Sequence, residues 1–187
     1  MSSAGTPLTV TLKPATLSDY PMVQNMARFY VYDLSKECGR QSDAWRLPAD
    51  GLFESFDFKN YFTDNTRAAY VITVQKDVAG FVLLNHETLD VVNDWNVGEF
   101  FILGRYQGRG IGTQAAQQVW QRHLGKWEVA VIPDNRSALR FWEKSIEDFT
   151  HNRFTKETKK VDFDKEQPHR VVFTFRTPQT PSALTEK

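Results

Sequence analysis

The chain has 187 residues, which is enough for one domain with a buried core. Hydrophobic residues make up 41% and charged residues 25%, as in ordinary globular proteins, and the single cysteine, Cys38, excludes an intrachain disulfide. The formal net charge is zero, but residues 1–103 carry 8 Lys and Arg against 13 Asp and Glu, whereas residues 104–187 carry 15 against 10. The neutral total, without a basic run among aromatic residues, argues against nucleic-acid binding.

No stretch of the chain predicts a targeting or membrane segment. Residues 1–7 are small and polar and lack the basic region and apolar run of a secretion signal. No stretch approaches the ~18 consecutive apolar residues that a membrane span requires. We therefore expect a cytoplasmic protein without a membrane partner. We also expect a flexible N-terminus over residues 1–7 and a flexible C-terminal tail over residues 177–187, which is rich in small polar residues and proline.

Hydrophobic periodicity predicts one α/β domain over residues 8–176. Strands are predicted where apolar residues alternate with polar ones or form short runs, and helices where they recur every three or four positions. In chain order the predicted elements are a strand at 8–13, a helix at 19–36, a loop at 39–51, a short helix at 54–62, strands at 68–74, 78–84 and 95–103, a glycine-rich loop at 104–112, a helix at 113–123, a strand at 127–132, a helix ending near 146, and strands at 149–154 and 170–176. This order predicts a mixed sheet flanked by helices.

The glycine-rich loop between the strand at 95–103 and the next helix predicts a phosphate site. A glycine turn at a helix N-terminus presents backbone N–H groups and the positive end of the helix dipole. Glycines at positions 108, 110 and 112 permit close approach of the backbone to a ligand. Arg105 and Arg109 offer additional charge-assisted contacts to an anion.

The loop matches one of three common phosphate-binding patterns. A P-loop ends in Gly-Lys-Ser/Thr, and the loop has no such lysine. A dinucleotide fingerprint has the spacing G-x-G-x-x-G, whereas here the last two glycines are separated by one residue. The third pattern, Gln/Arg-x-x-Gly-x-Gly/Ala, matches the stretch Gln107-Gly-Arg-Gly-Ile-Gly112.

The sequence resembles the GNAT superfamily of N-acetyltransferases, whose acetyl-CoA site is built on the third pattern. A second element agrees, because the run from Asn135 through Ala138, Phe141 and Trp142 to Lys144 is similar to the family's Asn-x-x-Ala-x-x-Phe-Tyr-x-Lys helix. The resemblance covers about residues 8–176. It implies a single domain with a mostly antiparallel, twisted sheet. The stretch at 125–135 resembles one poorly characterised branch that also has Trp where most members have Tyr.

The resemblance implies which residues hold acetyl-CoA. The backbone of the strand would pair with the pantetheine arm, the loop amides would hold the pyrophosphate, and the second helix would flank the thiol end. The cofactor-binding residues implied in this way are Phe101, Ile102, Leu103, Gln107, Gly108, Arg109, Gly110, Ile111, Gly112, Thr113, Asn135, Ala138 and Trp142. No metal is expected. The positive C-terminal half suits this anionic cofactor, and the negative N-terminal half suits a cationic amine.

The implied reaction is attack of a neutral amine on the thioester, which requires a base. An amine with a pKa of ~10.4 is neutral in only about one molecule in 2,500 at pH 7, so deprotonation is worth up to ~10³ in rate. Carboxylates at the position of Glu99 serve as this base in several relatives, and strand alternation places Glu99 on the face of Phe101. Its alternative role is that of a solvent-facing strand residue. Glu87 is the next candidate.

Trp142 departs from the family pattern, because many relatives place a Tyr there to protonate the leaving thiolate. An indole N–H is a hydrogen-bond donor but not a useful acid. Trp142 is therefore expected either to pack on the cofactor or to belong to the core. A backbone N–H near Ile102 or Leu103 would stabilise the oxyanion, as in the family.

The acceptor amine is the least determined part of the function. The segment between residues 20 and 64 forms the variable acceptor wall in the family, and Tyr30, Asp33 and Glu87 are the predicted substrate-binding residues. The number of carboxylates in the N-terminal half favours a small polycationic acceptor, with an aminoglycoside-type antibiotic as the leading candidate. The alternatives are a protein or peptide amine, and a non-catalytic module that senses acetyl-CoA. A homodimer is compatible with the family.

Overall fold

The fold is that of a computed structural model, which describes residues 8–53 and 56–178. Its seven strands are β1 Val10–Pro14, β2 Ala68–Val74, β3 Asp77–Asn85, β4 Trp95–Ile102, β5 Lys126–Val131, β6 Phe154–Lys160 and β7 His169–Arg176. Its α-helices are α1 Tyr20–Cys38, α2 Asn60–Thr63, α3 Ile111–Arg122 and α4 Arg136–Thr150. Short 3-10 helices lie at Leu17–Asp19, Asp43–Trp45 and Gly104–Tyr106.

All seven strands form one sheet in the order β1-β2-β3-β4-β5-β7-β6. Every neighbouring pair is antiparallel except β4 and β5, which are parallel. The predicted single-domain mixed sheet flanked by helices is therefore confirmed. The mixed strand order arises because α3 connects β4 to β5 as a crossover, which parallel neighbours require.

The sheet separates two hydrophobic clusters. One face of the sheet packs against α3 and α4, where Trp120, Trp127 and Phe173 are completely buried. The other face packs against α1 and α2 and includes the buried residues Phe81 and Phe101. Helix α1 contributes its apolar stripe to this second layer, with buried residues at Val23, Met26, Ala27, Val31, Leu34 and Cys38. The three- and four-residue spacing of this stripe is the pattern that predicted the helix.

The 3-10 helix Leu17–Asp19 leads directly into α1. The Thr16 backbone N–H donates to the Asp19 carboxylate at 2.9 Å in a capping box of this 3-10 helix, and a proline occupies the first turn of α1. The predicted helix at 54–62 is shorter in the structure and begins only at Asn60. Its start is delayed because the Asp57 carboxylate accepts the Lys59 N–H at 2.9 Å in a local turn. Residues 54 and 55 lie outside the described part of the chain.

The predicted strand at 149–154 is wrong. Helix α4 continues to Thr150 because Phe149 packs on Trp120, with ring centroids 4.9 Å apart, and so completes the apolar face of the helix. Strand β6 begins only at Phe154 and forms the exposed edge of the sheet. Its sequence is rich in lysine and lacks apolar alternation, as is common at sheet edges, which explains why the pattern did not reveal it.

The predicted terminal segments are only partly covered by the structure. Residues 1–7 and 179–187 lie outside the described residues, so the expected flexibility there remains a prediction. Thr177, which the sequence assigned to the tail, is buried, and its backbone N–H donates to the Gly125 carbonyl at 3.0 Å. Within residues 8–53 and 56–178, no helix has the length and apolar character needed to cross a membrane.

Candidate active site

A cleft opens where strands β4 and β5 separate. The two strands pair only through Trp95 with Trp127 and Asn96 with Glu128, and they diverge beyond these residues. The resulting cavity has a volume of about 520 Å³ and lies between α1, β4, the glycine loop and the start of α4. This volume falls within the range of ~300–1,000 Å³ that is typical of small-molecule sites. We call it the cleft cavity.

The glycine loop brings a helix N-terminus to the cleft cavity. Gly108 and Gly110 have φ angles of 69° and 75°, in the left-handed region that favours glycine, and Gly110 is the N-cap of α3. No side chain caps this helix. Within the described residues, the backbone N–H groups of Ile111, Gly112 and Thr113 donate to no protein acceptor. These free donors and the positive end of the helix dipole fit a pyrophosphate group.

The free edge of β4 provides a second set of backbone groups. The Leu103 N–H donates to the Ala79 carbonyl at 2.8 Å and is therefore already used in the sheet. Because hydrogen bonding alternates along an antiparallel pair, the N–H and carbonyl of Ile102 point away from β3 and toward the cleft. The Gln107 side chain confirms this direction, since its Nε2 donates to the Ile102 carbonyl at 2.8 Å. Of the two predicted oxyanion donors, Ile102 is the one that faces the cleft.

The start of α4 forms the wall opposite α1. The Asn135 side chain caps the helix by accepting the Ala138 N–H at 3.1 Å, and Asn135, Ala138 and Phe141 line the cleft cavity. Trp142 does not line it. This residue is only 6% exposed and packs in the core, with its ring centroid 5.0 Å from that of Phe100. The structure therefore favours the core role among the two alternatives for Trp142.

Glu99 is held on the α1 face of the sheet by a β-bulge. In the pairing of β3 with β4, Leu83 is opposite Glu99 and Leu84 is opposite Val97, so Gly98 is the extra residue. The bulge places Val97 in the α3 layer, while Glu99 stays on the same face as Phe101. Without the bulge, all three side chains would share one face.

Burial controls the ionisation of Glu99. Removal of the carboxyl from water raises its pKa from 4.5 to about 7, and a hydrogen bond from the Tyr30 hydroxyl lowers it in part. Tyr30 is itself desolvated, and this desolvation, together with Glu99, raises the pKa of its phenol well above 10.0. Tyr30 lines the cleft cavity, whereas Glu99 does not. The two residues are half-buried and form an acid–phenol pair beside the cavity.

A polar network continues behind Glu99. The Asn85 Nδ2 donates to the Tyr61 hydroxyl at 2.7 Å, and the Asn96 Nδ2 donates to the Asn85 Oδ1 at 3.0 Å. A Cβ on Gly98 would lie 2.2 Å from the Tyr61 hydroxyl, so this position has no space for a side chain. Glycine at the bulge therefore allows α2 to approach the sheet next to Glu99.

Fewer carboxylates reach the cleft cavity than their number in the N-terminal half predicted. Among the described acidic residues, only Asp33 and Glu37 line it. Glu87, the other predicted substrate-binding acid, is exposed and forms an ion pair with Arg67 away from the cavity. Asp33 accepts from Lys36 at 2.6 Å and from Gln107 at 3.3 Å. Others bind groups close to them in the chain, as Asp43 binds Arg46 and Asp57 accepts the Lys59 N–H, and Glu54 lies outside the described residues.

Cysteine and metal chemistry find no support in the described parts of the chain. Cys38 is fully buried, and desolvation raises the pKa of its thiol to about 11, so its nucleophilic thiolate form is suppressed. Residues 8–53 and 56–178 contain no cluster of three His, Cys, Asp or Glu side chains with metal-site geometry.

Most, but not all, of the predicted site residues line the cleft cavity. Those that line it are Tyr30, Asp33, Phe101, Ile102, Gln107, Gly108, Gly110, Gly112, Thr113, Asn135 and Ala138. Those that do not are Glu87, Glu99, Leu103, Arg109, Ile111 and Trp142. The sequence reasoning missed Phe100 and Phe141, although both lie within the two motifs. It also missed Lys36, which lies three residues after Asp33 on α1.

The fold has many relatives among solved structures. The chain is similar to an acetyltransferase from Thermus thermophilus, with 17% identity over 91% of this chain and 98% of that one and a TM-score of 0.60. It is also similar to the ribosomal-protein-S18-alanine N-acetyltransferase from Escherichia coli, with 11% identity, coverage of 95% and 100%, and a TM-score of 0.57. An aminoglycoside acetyltransferase in complex with coenzyme A gives 15% identity, coverage of 90% and 95%, and a TM-score of 0.58.

The family is shown by a family model and not by an individual relative. A comparison with curated protein sequences finds no match. The model of the acetyltransferase (GNAT) family matches residues 29–146, which is more than half of the chain and includes both motifs and Glu99. The protein therefore belongs to the acetyltransferase (GNAT) family, and acetyl-CoA is its co-substrate.

Proposed function

We propose that this protein transfers the acetyl group of acetyl-CoA to the primary amine of a small cationic molecule, with Glu99 as the base. The observation that carries the proposal is the position of Glu99 on the α1 face of β4 beside Tyr30 of the cavity wall, where desolvation raises the pKa of its carboxyl to about 7. A base is most effective when its pKa lies near the working pH. A carboxyl with an ordinary pKa would be a much weaker base toward an ammonium group.

Acetyl-CoA fits the groups that surround the cleft cavity. The free N–H groups at the start of α3 would hold its pyrophosphate, and the outward-facing backbone of Ile102 would pair with the pantetheine arm. Phe141, rather than Trp142, would pack on the cofactor, because Phe141 lines the cavity. When bound, acetyl-CoA supplies the activated thioester. The protein supplies orientation, a backbone donor for the oxyanion and the proton acceptor.

The acceptor is proposed to be cationic because two carboxylates face the cavity. Asp33 and Glu37 lie one helical turn apart on α1 and both line the cleft cavity. Asp33 is partly neutralised by Lys36, whereas Glu37 forms no ion pair within the described residues. A small acceptor with several amines, of the aminoglycoside type, would place one amine near Tyr30 and Glu99 and another near Glu37.

Release of free CoA thiol from acetyl-CoA tests the proposal. The purified protein is assayed with aminoglycosides, polyamines, amino acids and peptides with free N-termini, and the Glu99→Gln variant is the control. Rapid release with a polycationic small molecule, strongly reduced in the variant, is the expected result. Release with peptides alone would replace the small-molecule acceptor by a protein acceptor. Tight acetyl-CoA binding without release for any amine would overturn the enzymatic function in favour of an acetyl-CoA sensor.

Two further properties stay predictions within this proposal. A cytoplasmic location agrees with a substrate and co-substrate that are small metabolites or drugs inside the cell. A homodimer is tested by light scattering of the purified protein, with a mass near twice 21.6 kDa as the expected result.

A further inference from the structure

The proton donor for the departing thiolate has no evident place on α4. Many relatives carry a Tyr at the position of Trp142, but Trp142 here is buried in the core and does not line the cleft cavity. Its indole N–H is also too weak an acid to protonate a thiolate. A proton donor for the leaving group has to come from another wall of the cavity.

Among the described residues that line the cleft cavity, Tyr30 carries the only phenol. Two aliphatic hydroxyls are also present, but a serine or threonine hydroxyl is a far weaker acid than a phenol. The Thr113 hydroxyl lies 3.2 Å from that of Ser145, and the Ser137 hydroxyl lies 3.1 Å from the Asn135 Oδ1. The ammonium group of Lys36, also on this wall, is bound to Asp33 at 2.6 Å, which raises its pKa and makes it a poorer acid.

Tyr30 is also the link between the cavity and Glu99. Tyr30 is the side chain whose hydrogen bonding lowers the pKa of the Glu99 carboxyl in part, and it forms part of the cavity wall, which Glu99 does not line. The aromatic ring is fixed by Phe81 and Phe101, with centroids 6.2 Å and 5.9 Å away. Tyr30 is therefore the group of the cavity wall through which a proton can move between the cavity and Glu99.

We propose that Tyr30 is a catalytic residue that carries protons in both directions between the reacting groups and Glu99. The inference rests on the proposed acetyl transfer. The nitrogen of the neutral amine forms a bond to the acetyl carbon and loses a proton to the Tyr30 oxygen, while the Tyr30 proton moves to Glu99. The carbon–sulfur bond then breaks. Glu99 returns its proton to Tyr30, and Tyr30 protonates the thiolate sulfur, so that both residues end the cycle as they began.

The groups that face Tyr30 support this direction of transfer. They are Glu99 on β4, Tyr61 on α2 and Cys38 on α1. Burial and the acidic groups around it keep Tyr30 protonated, so its hydroxyl donates to Glu99 at rest and no phenolate accumulates. A protonated phenol that is bonded to a carboxylate is the form that a two-way carrier requires.

The variant Tyr30→Phe tests the proposal without removing the aromatic packing. We expect kcat to fall roughly 100-fold, because one acid–base group contributes about this much, while the KM values for acetyl-CoA and the amine change less than about three-fold. Tyr32→Phe is the matched control, because it makes the same change on the same helix at an exposed residue and should keep the activity. Thermal unfolding of both variants checks that they fold.

Coupling between Tyr30 and Glu99 separates a proton carrier from a structural residue. If the two act as a unit, the double variant Tyr30→Phe/Glu99→Gln loses no more activity than Glu99→Gln alone. The inflection of the pH–rate profile should also move upward in Tyr30→Phe, because the lost hydrogen bond lowered the pKa of Glu99. Independent, multiplicative losses with an unmoved inflection would overturn the inference.

The outcomes distinguish this inference from the proposed function. If the unmodified protein releases no CoA thiol with any amine, acetyl transfer itself fails. If it turns over and Glu99→Gln is slow but Tyr30→Phe is as fast as the control, only the role of Tyr30 fails. A loss in Tyr30→Phe that is confined to the KM of the amine would make Tyr30 a substrate contact and would likewise overturn the carrier role.

Discussion

The cofactor side and the proton-transfer side of the cleft are built in different ways. The cofactor side uses backbone groups from one contiguous stretch, in which the left-handed Gly110 leads directly into the free N–H groups of α3. The proton-transfer side uses side chains from separate elements, with Glu99 on β4 and Tyr30 on α1. A site made of backbone groups depends on local conformation, so a sequence motif can predict it. A site made of side chains depends on packing between distant segments, so no local motif predicts it.

This difference predicts that variants on the two sides fail in different steps. The largest effect is expected for Glu99→Gln, which keeps the shape of the side chain but removes the base. Turnover at pH 7.5 should fall by about 10³, while the dissociation constant for acetyl-CoA changes less than about two-fold. Steady-state kinetics and calorimetric titration measure the two quantities. An equal loss in both would mean that the two sides are not separate.

The cofactor side is broken by Gly110→Asp. The φ of 75° strains a residue with a Cβ, and the new carboxylate would repel the pyrophosphate at the start of α3. We expect acetyl-CoA affinity to fall by at least about 100-fold. Gly110→Asn is the matched control, because Asn has a similar size, tolerates the left-handed region and has no charge. If both variants bound acetyl-CoA equally well, the pyrophosphate would not lie at this loop.

The desolvated carboxyl of Glu99 also affects how the free energy of unfolding depends on pH. Glu99 has a folded-state pKa of about 7 against an ordinary 4.5, so the folded state holds the proton that the unfolded state loses within this range. The contribution of Glu99 to the free energy of unfolding is therefore fully present below pH 4.5 and declines as the pH rises to about 7, by up to ~3 kcal/mol.

Glu99→Gln should remove this decline. Urea unfolding at pH 5 and pH 8 should show the variant gaining about 2 kcal/mol relative to the unmodified protein at the higher pH. A constant difference between the two proteins at both pH values would mean that the carboxyl is not desolvated. Such a gain in stability at the expense of activity is expected when a functional group is held in an unfavourable environment.

The smallest effect is expected for Trp142→Tyr, which restores the residue that many relatives carry. Because Trp142 packs among Phe100, Trp120 and Phe141, the change leaves a small void and a buried hydroxyl. We expect a loss of about 1–2 kcal/mol in unfolding free energy and a change in turnover of less than about two-fold. A clear acceleration would show that position 142 reaches the reacting sulfur after all.

The parts of the molecule that were predictable are those set by local sequence. The strands β2 and β3 and the helices α1 and α3 follow their apolar periods, and the glycine loop matches its motif. Strand β6 was misplaced because its charged edge sequence gives no period. The family resemblance supplied Glu99, but its desolvation and the approach of Tyr30 depend on the bulge at Gly98 and on how α1 packs across the sheet. The spacing of residues along the chain predicts neither the bulge nor the packing of α1.

The acceptor wall was over-predicted for the same reason. Counting carboxylates in the N-terminal half gave a long acidic surface, but residues such as Asp57 and Glu87 bind nearby groups of their own fold. Among the acidic residues in the described part of the chain, only Asp33 and Glu37 line the cavity. The composition therefore indicated the sign of the charge at the site, whereas the number of charges available to a substrate required the structure.

The most direct measurement is the pH dependence of kcat for the acceptor found in the thiol-release assay, in the unmodified protein and in Glu99→Gln. The carboxylate is the active form of the base, so the rate of the unmodified protein should rise with pH and reach a plateau above an inflection near 7. The variant should be slow throughout and should lack that inflection. The same inflection in both proteins would contradict the assignment of Glu99 as the base.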